Sequence, residues 1–396
     1  VNIVNKIIVI SCVFYFPMWS SKTIHPIYWE ELGKLDYFSY SYAAMAFIGS
    51  LAFIYPKVLA SIGGKASLIA GFVFYAAGLM LRAYPLSTFL SVGSGILAGV
   101  GACLIGLCIK ALINNIEGDT QQKAILWSNN SYTICQGVGI LFSGWIVYLF
   151  AFVTAEPYLY ASLIFAVLAL TGIFSYKLFG QGNSDELGKH SDVDYMKFFS
   201  NNRSITLVVV ASFFGIGVIQ GFLLPLIPIF MNERGVEIQT ISTILAASTV
   251  CGLLVQNLYA KIFAKEYAKY GLITICAIIT ILLAVFLSTL KGEDVVLTIT
   301  IFGFLFMTLR SLVSFLIGVI EYQMVSKTDT IVLIGIIQSA FLSGDIIGGL
   351  LLPYVKNSDY LLDNSMVIPS VYFVLILLLS ACVKKEYSIS LVQNKK

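Results

Sequence analysis

The chain has 396 residues, of which 58% are hydrophobic and only 11% charged, with a net charge of +3. A soluble chain carries about 25% charged residues, so lipid rather than water must be the solvent for most of this protein's surface. The small, dispersed charge gives nucleic acid no footing, and a cleavable signal peptide is not expected, because the first apolar run begins almost at residue 1 and no A-x-A site ends it.

A helix needs about 20 apolar residues to cross a hydrocarbon core of roughly 30 Å. In chain order, twelve runs meet that demand: about 5–27, 38–60, 66–84, 88–114, 124–150, 156–178, 204–230, 239–262, 269–290, 295–320, 331–355 and 365–383. The runs are continuous rather than alternating, which points to helices and away from a barrel. With the N-terminus placed in the cytoplasm, seventeen of the 24 lysines and arginines fall inside and six outside, with Arg310 left inside a helix. That asymmetry predicts cytoplasmic termini and a multi-pass protein of a bacterial cytoplasmic (inner) membrane. The longest polar stretch, Gly180 to Ser204, carries both charge signs and no apolar period. It divides the chain into a six-helix bundle (1–179), a cytoplasmic linker (180–203), a second six-helix bundle (204–384) and a cytoplasmic tail (385–396). The seven cysteines all lie in apolar runs without a C-x-x-C pair, as small packing residues do. No metal or disulfide is expected of them.

The two groups of six spans echo each other. "PIYWEELG" (Pro26 to Gly33) ends the first span, and "PIFMNERG" (Pro228 to Gly235) ends the seventh. The same spacing separates Gln136 in span five from Gln338 in span eleven. Six plus six helices in parallel repeats resemble the major facilitator superfamily. The local motifs are partial. After span two, "KVLASIGGKA" (Lys57 to Ala66) keeps Gly64 and Lys65 of the family's G-x-x-x-D-R-x-G-R-R, with Ser61 and Ile62 at the Asp and Arg positions. In span four, "GILAGVG" keeps Gly99 and Gly101 but has Gly95 where the family has Arg. In span five, "GILFSG" keeps Gly139 and Gly144 of the drug-antiporter pattern without its Pro. The resemblance implies an all-α fold of two pseudo-symmetric bundles, a solute site near the midplane, and alternating access by rocking. It implies no enzyme and no bound cofactor beyond a proton gradient, with lipids as surroundings and a monomer as the working unit.

"GVGACLIG" (Gly99 to Gly106) has neither the spacing nor the preceding strand of a nucleotide loop. Close helix packing is the better reading, and an ATP-driven pump is disfavoured. Tyr28 and Trp29 read as interface-belt aromatics, and Trp127 and Trp145 as lipid-facing or packing residues.

Arg310 and Asp345 stand deep in apolar runs, where each costs about 2.5–3.5 kcal/mol. Such residues need a partner, a wet cavity or a task. Asp345, the one acid well inside a span, is the candidate proton carrier. By helix rise it lies near the height of Lys22 and about 13 Å from that of Arg310, so a direct Arg310–Asp345 bridge is not favoured. Candidate solute-binding residues are Arg310, Lys22, Gln136, Gln220 and Gln338, with Gln256, Asn257, Asn129 and Asn130 as further cavity-wall candidates. His25 is expected to snorkel to the outer surface, and Lys110 to lie at the cytoplasmic interface. With Lys22 and Arg310 against Asp345, the site has an excess of positive charge that favours anionic or zwitterionic small molecules.

The function these features predict is a secondary transporter of a small amphipathic solute. The expected mode is proton-coupled efflux of a drug, antibiotic or peptide-like compound, on the strength of Gly139 and Gly144. The alternative is a proton-coupled importer of a sugar, nucleoside or peptide. A reading of another class, a non-transporting receptor or sensor, would need a signalling domain that the linker and tail do not supply.

Overall fold

A computed structural model describes residues 3–51, 59, 61–114, 116, 119–178, 198, 200, 202–262, 268–289, 295–324, 330–356 and 367–381. Among the described residues every regular element is a helix. The first group comprises α1 (Ile3–Glu31), α2 (Leu35–Ser50), α3 (Gly64–Arg82), α4 (Thr88–Asn114), α5 (Asp119–Ala151) and α6 (Pro157–Thr171). The second comprises α7 (Arg203–Glu233), α8 (Ile238–Ile262), α9 (Ala268–Thr289), α10 (Val295–Met324), α11 (Thr330–Lys356) and α12 (Val367–Ala381). Each expected span meets one helix, and among the described residues nine helices are long and apolar enough to cross a membrane. The predicted linker and tail fall almost wholly outside the described residues.

The repeated octapeptides are helix stops. At the end of α1, the Gly33 N–H donates to Glu30 O and the Lys34 N–H to Trp29 O, both at 2.8 Å. At the end of α7, the Gly235 N–H donates to Asn232 O at 2.9 Å and the Val236 N–H to Met231 O at 3.0 Å. This is the Schellman closure, which needs a left-handed residue after the helix. Gly33 has φ 65° and Gly235 has φ 79°, a region a side chain enters only with strain. Pro26 and Pro228 sit inside the last turns of the two helices. Each lacks an N–H and so leaves a carbonyl free one turn back, that of Lys22 in α1 and that of Leu224 in α7.

Hydrogen bonds gather the turns at one end of the first six helices, called here the far face. Lys34 Nζ donates to Pro85 O at 2.7 Å, and Tyr28 and Trp29 donate to Ala83 O and Arg82 O, each at 3.1 Å. The Tyr158 hydroxyl donates to Glu31 Oε1 at 3.0 Å. These contacts correct the interface-belt reading of Trp29. Trp29 is 1% exposed, because its indole satisfies a carbonyl that the end of α3 leaves open. Trp127 and Trp145 do face outward, at 48% and 46% exposure.

Packing follows the small residues. α4 lies between α2 and α3, and its glycines take opposite sides. A side chain at Gly95 or Gly99 would strike the α2 backbone, and one at Gly101 the α3 backbone. The stretch "GVGACLIG" is therefore a packing seam. The two groups of six meet along α2 with α11, α5 with α8, and α1 with α7. Gly139 and Gly144 serve close helix contacts: Gly139 admits Phe16 and Ser20 of α1, and Gly144 admits Ser242 and Ile238 of α8. The sixth span departs from expectation at its end, where Gly172–Leu178 tightens into a 3-10 helix. Gly172 lies against the Phe72 ring of α3, and the Ser175 hydroxyl donates to the Gly172 carbonyl at 2.6 Å.

Candidate functional site

The site is built where α2 meets α11. A side chain at Gly349 would touch Tyr42, and this closeness lets the Tyr42 hydroxyl donate to Asp345 Oδ1 at 3.2 Å. Asp345 is 6% exposed. On its other side, α7 presents Gly221, where a Cβ would stand only 3.0 Å from Oδ1. The glycine thus brings a helix backbone beside the carboxylate without covering it.

Lys22 of α1 reaches the same place. Its ammonium lies 5.2 Å from the centroid of the Trp19 ring and 5.4 Å from that of Tyr42. Desolvated cation–π contacts of this kind are worth about 2 kcal/mol, which offsets part of the cost of keeping a lysine within the membrane. Lys22 is in Coulombic range of Asp345, Arg310 and Arg82. The Arg310 Nε donates to Gln220 Oε1 at 3.3 Å, and its guanidinium faces the Tyr132 hydroxyl. Tyr132 stands edge-on to Tyr15 and Trp19 at 4.9 and 5.8 Å, closing an aromatic wall beside Lys22.

The structure therefore brings together Lys22, Gln220, Arg310 and Asp345 of the sequence-predicted set. Gln136 is buried one helical turn from Tyr132 on α5. Gln338 lies two turns before Asp345 on α11, and its Oε1 accepts from Lys110 Nζ of α4 at 2.5 Å, a bond between the two groups of helices. Gln256 is buried, Asn257 donates to Leu253 O at 2.8 Å, and Asn129 is exposed.

Two residues depart from the sequence reading. His25 does not snorkel; it is 1% exposed, and neither ring nitrogen has a partner among the described residues. Arg82, counted among outer-surface charges, is 8% exposed and turns back into the bundle. Its Nε donates to Ser41 Oγ at 3.1 Å and its Nη2 to Met45 Sδ at 3.3 Å, and Ser41 and Ser94 share a hydrogen bond of 2.8 Å. A basic residue at a helix end can turn either way. What turns Arg82 inward is the serine pair on the neighbouring helices, a tertiary feature. Tyr42 and Trp19 were also missed, as two aromatics among many.

A polytopic helical membrane protein with ionisable side chains from both groups of six helices gathered within it has the construction of a solute carrier. The model of the Major Facilitator Superfamily matches residues 7–349, and the chain belongs to that family. Similar solved structures include a POT family transporter in complex with a thioalcohol conjugated peptide, with 13% identity and a TM-score of 0.67 over 96% of this chain and 95% of that one. A POT family transporter in complex with 5-aminolevulinic acid is alike at 12% identity and 0.67, over 96% and 95%. A point mutant of the nucleoside transporter NupG is alike at 14% identity and 0.67, over 97% and 100%. Among curated proteins nothing matches.

Proposed function

We propose that this transporter moves a small solute bearing a carboxylate or phosphate, zwitterions included, with Asp345 carrying the coupling proton. The carrying observation is the meeting of Lys22 and Arg310 with Asp345 around the Tyr42 hydroxyl. The solute's anionic group and ionised Asp345 contend for the same cations. When Asp345 takes a proton, Lys22 and Arg310 turn to the solute; when it loses the proton, they return to Asp345 and the solute leaves. Proton and solute are then bound together and travel in the same direction. This coupling favours uptake over the export expected from Gly139 and Gly144, both of which are consumed by helix contacts. The complex of a structurally similar transporter with 5-aminolevulinic acid, itself a zwitterion, is in keeping with this solute class.

The test compares a charged compound that the protein transports with its neutral ester, in wild type and Arg310→Ala. Binding of the charged compound should fall about tenfold or more, the worth of a charged hydrogen bond, while the ester changes by less than about twofold. Equal losses would make Arg310 structural. The proposed setting is a bacterial cytoplasmic membrane with both termini inside, from the lysine and arginine asymmetry. Cysteines placed at residues 34 and 190 in a cysteine-free background should be labelled from outside at 34 alone; labelling at 190 alone would invert the topology.

A further inference from the structure

The charges of the site do not balance. Lys22, Arg82 and Arg310 are all in Coulombic range of Tyr42 or Lys22, and among the described residues the acid that faces them is Asp345. Arg82 has a position that would let it escape. It is the last residue of α3, within reach of the far face, where a long cationic side chain ordinarily turns to water. It is instead buried, with a serine hydroxyl and a thioether as its hydrogen-bond partners. A thioether is a weak acceptor, and a buried guanidinium without a counter-charge is costly. Within Coulombic range of it lies His25, also buried, whose ring carries a donor and an acceptor with no described partner for either. A guanidinium short of a counter-charge and an imidazole N–H short of an acceptor call for the same kind of group, one from α3 and the other from α1.

Building on the reading above, we infer that the solute carries two anionic groups, one taken by Lys22 and Arg310 beside Asp345 and the other by Arg82 with His25. The two loci are neighbours. Arg82 is fastened to α2 at Ser41 and Met45, and Tyr42, the residue after Ser41, holds Asp345. A molecule lying along this part of α2 would meet both. With Asp345 protonated, as it is when the solute is bound, the three cations leave a charge of +3, of which a dianion neutralises two and a monoanion one. A low-dielectric site makes that difference large. A free halide would satisfy Arg82 by the same chemistry, so the test must separate it from a second acidic group on the solute.

The probes are malonate, succinate and glutarate, each paired with its monomethyl ester. Binding to the purified full chain in detergent is read by calorimetry, in chloride and again in gluconate. In wild type, at least one diacid should bind about tenfold more tightly than its monoester, as expected for one added charged hydrogen-bonded contact. In Arg82→Gln the preference for the diacid over its monoester should collapse, and Arg82→Lys should keep part of it. In wild type, the preferred diacid should also protect Arg82 from phenylglyoxal, read by peptide mass, which needs no variant to fold. The inference is overturned if no diacid outbinds its monoester, if Arg82→Gln keeps the preference, or if Arg82 is protected by chloride and not by the diacid. Loss of monoester binding in Arg310→Ala tests the underlying reading separately. If that variant binds the monoester as wild type does, the Lys22–Arg310 locus fails, whatever Arg82 does.

Discussion

The two groups of six helices share a backbone device and divide the chemistry. Both close their first helix with the same Schellman turn on a left-handed glycine, preceded by a proline that frees a carbonyl one turn back. At that freed carbonyl the first group has Lys22, whereas the second has Leu224. The reverse holds farther along: the step from Gln136 leads to Ser143, and the same step from Gln338 leads to Asp345. The repeat thus keeps what the turn geometry demands and leaves side chains in the interior free to differ. In this protein that freedom puts Lys22 and Arg82 in one group and Asp345 and Arg310 in the other. The charged cluster is complete only when the two groups are together.

The comparison can be broken first at Asp345. Asp345→Asn keeps a side chain of the same shape that can still accept from Tyr42 and removes the ionisable group proposed to carry the proton. Proton-driven accumulation should be abolished in proteoliposomes while solute exchange without a gradient persists. Undiminished uphill transport would remove Asp345 from the coupling and leave the division of charge without a role. A smaller effect sharpens the shared half of the comparison. Gly33→Ala and Gly235→Ala each force a side chain into the left-handed region at a cost of about 1 kcal/mol. Neither position has a neighbour within 4 Å of the added Cβ. The two losses, measured by SDS-driven unfolding in mixed micelles, should therefore agree to within about 0.5 kcal/mol, the scale on which independent sites add. A clear inequality would mean that the two turns are alike in sequence only.

Most of the fold was legible, because lipid imposes a length on every apolar run and a glycine stop recurs at equal spacing. Lys22 and Asp345 were legible as residues of similar height, because helix rise alone gives heights. Arg82, His25 and Trp29 were not. All three lie near helix ends, where rise gives a height but not the direction a side chain takes, and their directions are set by Ser41, by the end of α3, and by the crossing of α1. The 3-10 end of the sixth span escaped for a like reason, since Gly172 answers to Phe72 from another helix. Gln136 and Gln338 hold equivalent places in the repeat yet have different surroundings. Spacing identifies equivalent positions, and the partners available in each group decide their use.

The lacing of the far-face turns has a mechanical consequence. Lys34 to Pro85, Tyr28 and Trp29 to the end of α3, and Tyr158 to Glu31 tie α1, α2, α3, α4 and α6 at one edge. Members bolted at a common edge behave as one lever and do not flex where they are bolted. Any swing of this lever must be taken up at the seams between the two groups, where Gly144 of α5 rides on Ser242 of α8 and Gly349 of α11 rides on Tyr42 of α2. The second of these seams is also where Asp345 accepts its hydrogen bond, so the pivot and the proposed proton carrier occupy the same square of the mechanism.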